Sequence, residues 1–235
     1  GKPTIAELSG FAPATDLDPL LLLNSRVPHA QPLFCLHAGF GTVFDYNPIA
    51  RRLEGQRSVY GLQCRMLLDR DWQDESLVSM AIDYAQYIRQ KQALGPYQLV
   101  GWSLGGTLAV LVAQELEKQG QEVEFLGLID SFIPSATPTA PDLDWGDDLR
   151  GFLAVIFAQP AGQLPLLTLP AECPQTTLEQ LIAQVREQIN GTSAFGDIGV
   201  EELAQTFKVA MKLKALSLNL NALPQTRVSA CCWWA

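Results

Sequence analysis

Histidine is scarce in this sequence: two residues in 235, His29 and His37. No apolar run approaches the ~20 residues needed to cross a bilayer, so no membrane-spanning helix is expected. The opening Gly1-Lys2-Pro3-Thr4 carries no signal-peptide pattern, and the chain reads as cytoplasmic. Basic residues are outnumbered, 16 Lys plus Arg against 25 Asp plus Glu, for a formal net charge of -9. A nucleic-acid partner, which calls for a concentrated basic surface, is therefore not expected. The short basic groups at Arg51-Arg52 and Lys208 to Lys214 read as solvated helix faces. The cysteines, Cys35, Cys64, Cys173, Cys231 and Cys232, are odd in number and lack metal-ligand spacing. That argues against a disulfide framework and a zinc site. Gly39 and Gly41 lack the Gly-Lys-Ser/Thr ending of a phosphate loop, so neither a metal nor a directly bound cofactor is expected.

What is present is ordinary for a soluble enzyme: 48% apolar and 17% charged residues, with length enough for one sizeable core. Residues 1–31 show no sustained period, and Leu20 to Leu23 read as an edge strand or packed loop. Pro32 to Leu36 reads as a buried strand, with Cys35 as a small hydrophobe within it. A short helix is expected from Tyr46 to Leu53 and a strand from Ser58 to Leu62. Leu77, Met80, Ala81, Tyr84, Tyr87 and Ile88 form a 3.6-residue stripe within a helix over 76–94, stopped at Gly95-Pro96. Strand 97–102, helix 104–118 and strand 123–129 follow. This alternation predicts an α/β fold, with a mostly parallel sheet covered by helices on both faces.

Beyond Asp130 the rhythm changes. Residues 133–148, rich in Pro and Asp, read as a loop, and helices are expected over 149–158, 177–189 and 200–218. A strand returns at Thr226 to Trp233, where adjacent Cys231 and Cys232 are expected to point one to the core and one to a helix layer. The expected organisation is a core part over 1–130, a helical lid over 131–225 and a returning core strand over 226–235. An insertion of roughly 90 residues is too long for a simple connection.

The chemistry centres on Gly101-Trp102-Ser103-Leu104-Gly105. A G-x-S-x-G run alone is weak, but at a strand-to-helix junction it describes a nucleophile elbow. A serine nucleophile needs a base, an acid that orients the base, and two donors for the developing oxyanion. Ser103 supplies the nucleophile, the Leu104 amide one donor, and the loop His37-Ala38-Gly39-Phe40-Gly41-Thr42 the second, placed at Gly39 or a neighbour. Asp130, ending the next strand, is the natural acid. His37 lies on the oxyanion loop and reads as a support for it, together with Ala38 and Gly41; His29 reads as exposed.

Three segments carry a family resemblance: Pro32-Leu-Phe-Cys-Leu-His-Ala-Gly-Phe-Gly41, Gly95-Pro-Tyr-Gln-Leu-Val-Gly-Trp-Ser-Leu-Gly-Gly106 and Phe125-Leu-Gly-Leu-Ile-Asp-Ser131. Val59-Tyr60-Gly61-Leu62-Gln63 and Met80-Ala81-x-x-Tyr84 add to it. Together they resemble the integrated thioesterase domains of nonribosomal peptide and polyketide synthetases, in the α/β-hydrolase superfamily. The resemblance implies that Ser103 takes an acyl or peptidyl chain from the phosphopantetheine thioester of a carrier domain. Water, or an amine or hydroxyl of the chain, would then release a free acid or a macrocycle, typically a secondary metabolite. It also implies a helical lid, where Phe152 and Phe157 line an acyl surface or pack the core, and a place in a larger synthetase.

The departure is the base. The resemblance implies a histidine beyond the strand that ends in Cys231-Cys232-Trp233-Trp234, and no histidine follows Ser103. The expectation is that the C-terminal part of the core is missing from this sequence, since an internal strand left as an edge is unfavourable. Two alternatives stay open: a free-standing editing thioesterase or small-acyl esterase, and a non-catalytic acyl-binding or carrier-docking module.

Overall fold

The computed structural model describes residues 18–131, 144–167, 174–189 and 198–234. These divide between two compact units, one drawn from Asp16–Pro138 and Leu213–Ala235, the other from Thr139–Lys212. The expectations for residues 1–17, for 132–143 and for Asn190 to Ser193 lie outside the described residues.

The first unit is built on a six-stranded sheet. Its strands are β1 (Leu20–Leu22), β2 (Leu33–Leu36), β3 (Val59–Leu62), β4 (Tyr97–Trp102), β5 (Val123–Ile129) and β6 (Ala230–Trp233), in the order β1-β3-β2-β4-β5-β6. Only β1 is antiparallel, pairing with β3 at the edge. Strands β2 and β3 are buried at every position, as strands covered on both faces must be. Helices α1 (Asn47–Arg52), α2 (Leu77–Lys91) and α3 (Leu104–Lys118) cover them.

Alternation along the strands separates two apolar layers. Leu33, Cys35, Val59 and Val100 pack with Val43, Tyr46 and Ala50 on the α1 side. Phe34, Leu36 and Leu99, all fully buried, point the other way, where α2 and α3 pack together and α3 lies against β2, β4 and β5. The α2 stripe read from the sequence is the buried one, Leu77, Met80, Ala81, Tyr84 and Ile88, joined by Ala85; Tyr87 lies outside it. Each large apolar side chain so buried contributes roughly 1.5–3 kcal/mol. Ser76 starts α2 by accepting from the Ser79 amide at 3.0 Å, in a reciprocal cap.

Chain direction reverses between β2 and β4. From β2 the chain steps outward to β3, then returns to lay β4 on the other side of β2. Crevices at such a switch point, outside the carboxyl ends of the strands, are where α/β sheets bind ligands. The segments that open there are the loop after β2 and the turn after β4.

Two expectations are corrected here. Strand β6 is shorter than the sequence suggests because Glu117, at the end of α3, accepts from the amides of Arg227 at 2.8 Å and Val228 at 3.0 Å. Those amides are taken by a side chain, so the ladder with β5 begins only at Ala230. Cys231 and Cys232 are both exposed, with all of β6; among the described residues no helix covers this strand, so neither thiol reaches a core.

The second unit holds α4 (Trp145–Ile156), α5 (Gln175–Gln188) and most of α6 (Val200–Leu218). The acidic run read as loop begins a helix instead. Asp144 caps α4 by accepting from Gly146 N at 2.9 Å and Asp147 N at 3.1 Å, and Asp147 and Asp148 sit in the first turn, where the helix dipole favours anions. Phe207 joins α6 to α4, 5.6 Å from the Phe152 ring and 5.9 Å from the Trp145 ring. Phe152 and Phe157 are buried core residues.

Candidate active site

Ser103 stands between β4 and α3 with φ 54° and ψ -124°, a conformation that L residues avoid and that surrounding structure must enforce. The enforcement is visible. Its amide donates to Ile129 O at 2.9 Å, and its carbonyl accepts from Gly106 N at 3.1 Å. A Cβ on Gly101 would run into the backbone of Gly105 and Gly106, and one on Gly105 into the carbonyls of Leu36 and His37. The first turn of α3 therefore lies directly against the ends of β4 and β2, an approach that only glycine permits. Ser131, buried, fills the space beside Gly106, and its hydroxyl donates to Ile129 O at 3.1 Å.

Tyr46 ties the two central strands together at the same end. Its hydroxyl donates to Leu36 O at 2.6 Å and accepts from Trp102 N at 2.8 Å, one residue before the serine. The side chain is buried, and its bond to Leu36 O forms away from water.

In register, Trp102 faces Ile129 across β4 and β5, which makes Ser103 and Asp130 lateral neighbours just past the strand ends. Asp130 sits in the left-handed region, φ 42°, with its amide donating to Trp233 O at 2.7 Å. Its side chain is exposed. Among the described residues, neither the Ser103 hydroxyl nor the Asp130 carboxylate has a hydrogen-bond partner. Both remain available to a substrate or to a base.

The loop after β2 is the most tightly organised part of the site. His37 is fully buried. Its Nδ1 lies 2.8 Å from Ala38 O, which can only accept, so Nδ1 carries the proton. Burial lowers the imidazole to about 4, against the smaller upward pull of the Ala38 carbonyl. The ring is therefore neutral at pH 7 and Nε2 is bare, accepting from the Tyr84 hydroxyl at 2.7 Å. Gly41, at φ 78°, closes the turn by donating to Ala38 O at 3.0 Å. Gly39 faces open space, with nothing within 4 Å of where a Cβ would stand. Among the described residues the amides of Ala38, Gly39 and Leu104 have no acceptor; that of Leu104 is free because it opens a helix.

Neither histidine can serve Ser103 as base. Both ring nitrogens of His37 are committed. His29 is exposed in the connection that enters β2, at the end of the strands opposite the serine, since β2 and β4 are parallel. The expected site residues thus fall at one end of one sheet, Ser103 and Asp130 side by side and His37, Ala38, Gly39 and Gly41 on the loop against which α3 begins. Tyr46, Tyr84 and Ser131 complete the arrangement. Tyr84 reads from the sequence as a core position on an apolar stripe, and its hydroxyl and its place in Met80-Ala81-x-x-Tyr84 are the hints of more.

The comparisons bear on family and fold. The thioesterase domain family matches residues 31–168. Malpibaldin synthetase of Mortierella alpina is 39% identical over 134 residues, covering 55% of this chain and 2% of that protein. A dimodular nonribosomal peptide synthase of Bacillus subtilis (strain 168) is 38% identical over 152 residues, 64% of this chain and 6% of that protein. The chain thus spans a few per cent of the length of these relatives. Among solved structures, the surfactin-cyclising thioesterase domain SrfTE matches with a TM-score of 0.60 at 17% identity, over 93% of this chain and 75% of that one. The NocB thioesterase domain, in covalent complex with a fluorophosphonate nocardicin G analogue, matches with a TM-score of 0.58 at 21% identity, over 86% and 72% of the two chains. The likeness to these structures is one of fold, and the match over 31–168 is one of family: the chain belongs to the thioesterase domain family, on an α/β-hydrolase fold.

Proposed function

We propose that this chain is the acyl-accepting part of a thioesterase that releases an acyl or peptidyl chain from the phosphopantetheine arm of a carrier domain in a larger synthetase. The observation that carries this reading is Ser103, held in a strained elbow beside Asp130 and the amides of Leu104 and Gly39, with its hydroxyl and both amides unpaired among the described residues. The kinship of the chain to peptide synthetases supports the carrier-borne substrate.

In the acylation step Ser103 Oγ attacks the thioester carbonyl and gives its proton to a base. The oxyanion is received by the amides of Leu104 and Gly39. The C–S bond then breaks, and the pantetheine sulfur leaves as a thiol with the proton from the base. Deacylation repeats the sequence with water, or with an amine or hydroxyl of the chain itself, as nucleophile. Asp130 is the acid that orients the base, an imidazole that neither His29 nor His37 supplies. For the helical unit we keep the lid role that the family resemblance implies.

The commitment of both His37 nitrogens favours one competing reading, a module that binds acyl groups without transferring them. Presenting an acyl-loaded carrier domain with imidazole in solution as the base separates the two. The acyl group is expected on Ser103, identified by mass spectrometry, and Ser103→Ala is expected to remain unmodified. Carrier binding without a Ser103 adduct would establish the non-catalytic module instead. Faster acylation by a simple ester than by the carrier thioester would replace the carrier substrate with a small acyl ester.

A further inference from the structure

The loop after β2 is closed by a ring of contacts that reaches far into the core. His37 Nδ1 donates to Ala38 O at 2.8 Å, and Gly41 N donates to the same oxygen at 3.0 Å. Tyr84, fully buried on α2, donates to His37 Nε2 at 2.7 Å. The Cys64 thiol lies beside the Tyr84 side chain, and Cys64 N donates to Gly41 O at 2.8 Å, which leads back to the loop. The direction of the Tyr84–His37–Ala38 bonds is fixed. The Tyr84 proton goes to His37, and burial keeps the neighbouring Cys64 thiol protonated, pushed up to about 12.

The ring has a consequence for the oxyanion. In a trans peptide the carbonyl and the following N–H point in opposite directions. Two donors pin the carbonyl of Ala38, so the Gly39 N–H of the same peptide is pinned as well, pointing away from the ring, without an acceptor among the described residues. The His37 carbonyl, against which Gly105 packs, sets the preceding peptide beside the first turn of α3. The geometry points to Tyr84 as a positioning residue that, acting through His37, aims the Gly39 amide for transition-state stabilisation at Ser103. This inference rests on the acyl-transfer reading above, and deepens it: a buried tyrosine that touches no substrate sets the strength of the oxyanion site.

The test compares wild type with Tyr84→Phe in two readouts. The first is the rate at which a fluorophosphonate probe, with imidazole as base, modifies Ser103 across probe concentrations. The maximal rate is expected to fall about 10- to 100-fold, in the range of a weakened oxyanion donor, with the half-saturating concentration unchanged. The second is the infrared carbonyl stretch of a 13C-labelled acyl group on Ser103, read only from folded, acylated molecules. It is expected to move to higher wavenumber as one hydrogen bond to the carbonyl weakens. If Tyr84→Phe does not fold, Cys64→Ala carries the same test one contact further out, with a smaller slowing in the same parameter. Modification of wild type at Ser103 with an unchanged maximal rate in the variant overturns the positioning role alone. A wild type that is never modified at Ser103 overturns the acyl-transfer reading itself.

Discussion

His37 shows how burial decides the use of a residue. Exposed imidazoles titrate near pH 6.5, but here full burial lowers the folded value to about 4. Between those values the unfolded chain binds a proton that the folded chain refuses, so stability falls as pH drops from 6.5 towards 4. The groups that face the ring are the Ala38 carbonyl and the Tyr84 hydroxyl, with Cys64 and Asp74 behind Tyr84. The loss attributable to His37 alone is expected to reach about 3 kcal/mol by pH 4. Urea unfolding at steps from pH 7 to 4 checks it, with His37→Gln flattening the profile. An equally steep profile in that variant would place the titration elsewhere. The same burial rules out His37 as the base, a conclusion the sequence reaches only from the position of His37 on the loop.

The elbow belongs to the next scale, because three elements meet in it. Gly105→Ala would push a methyl group into the carbonyls at the end of β2, where backbone cannot give way cheaply. A loss of about 1–3 kcal/mol or more is expected, with Ser103 modification lost in proportion. Tyr46→Phe removes one donor from buried Leu36 O and one acceptor from half-buried Trp102 N. It is expected to cost about 1–3 kcal/mol in denaturant unfolding, and a variant as stable as wild type would show that water replaces the hydroxyl. Elements of this kind were legible where pattern and chemistry coincide. The α2 stripe, the Gly101 to Gly105 turn and the alternation of strands each announce themselves locally. Tyr46 did not, because its two partners lie 10 and 56 residues away. The start of α4 was hidden by its own cap, since an acidic run after prolines reads as loop until Asp144 is seen to accept from two amides. The exposure of Cys231 and Cys232 was hidden for a related reason: a strand pattern predicts two faces but not what covers them.

For the whole molecule, the switch of chain direction between β2 and β4 brings Ser103, Asp130 and the loop after β2 to one end of the sheet. The family is fixed by the match over residues 31–168, and the Gly101 to Gly105 turn, Asp130 at a strand end and the glycine-rich loop after β2 are each local sequence patterns. What no local motif could carry is the Tyr84–His37–Ala38 connection, assembled from α2 and the loop after β2. The central claim is that Ser103 accepts an acyl group once an imidazole is available. The most direct measurement is peptide-mapping mass spectrometry after exposure to a fluorophosphonate probe with imidazole added. The account predicts one adduct, on Ser103, formed faster as imidazole rises and absent in Ser103→Ala. Modification at other residues with Ser103 left free, or an adduct that persists in Ser103→Ala, would contradict it.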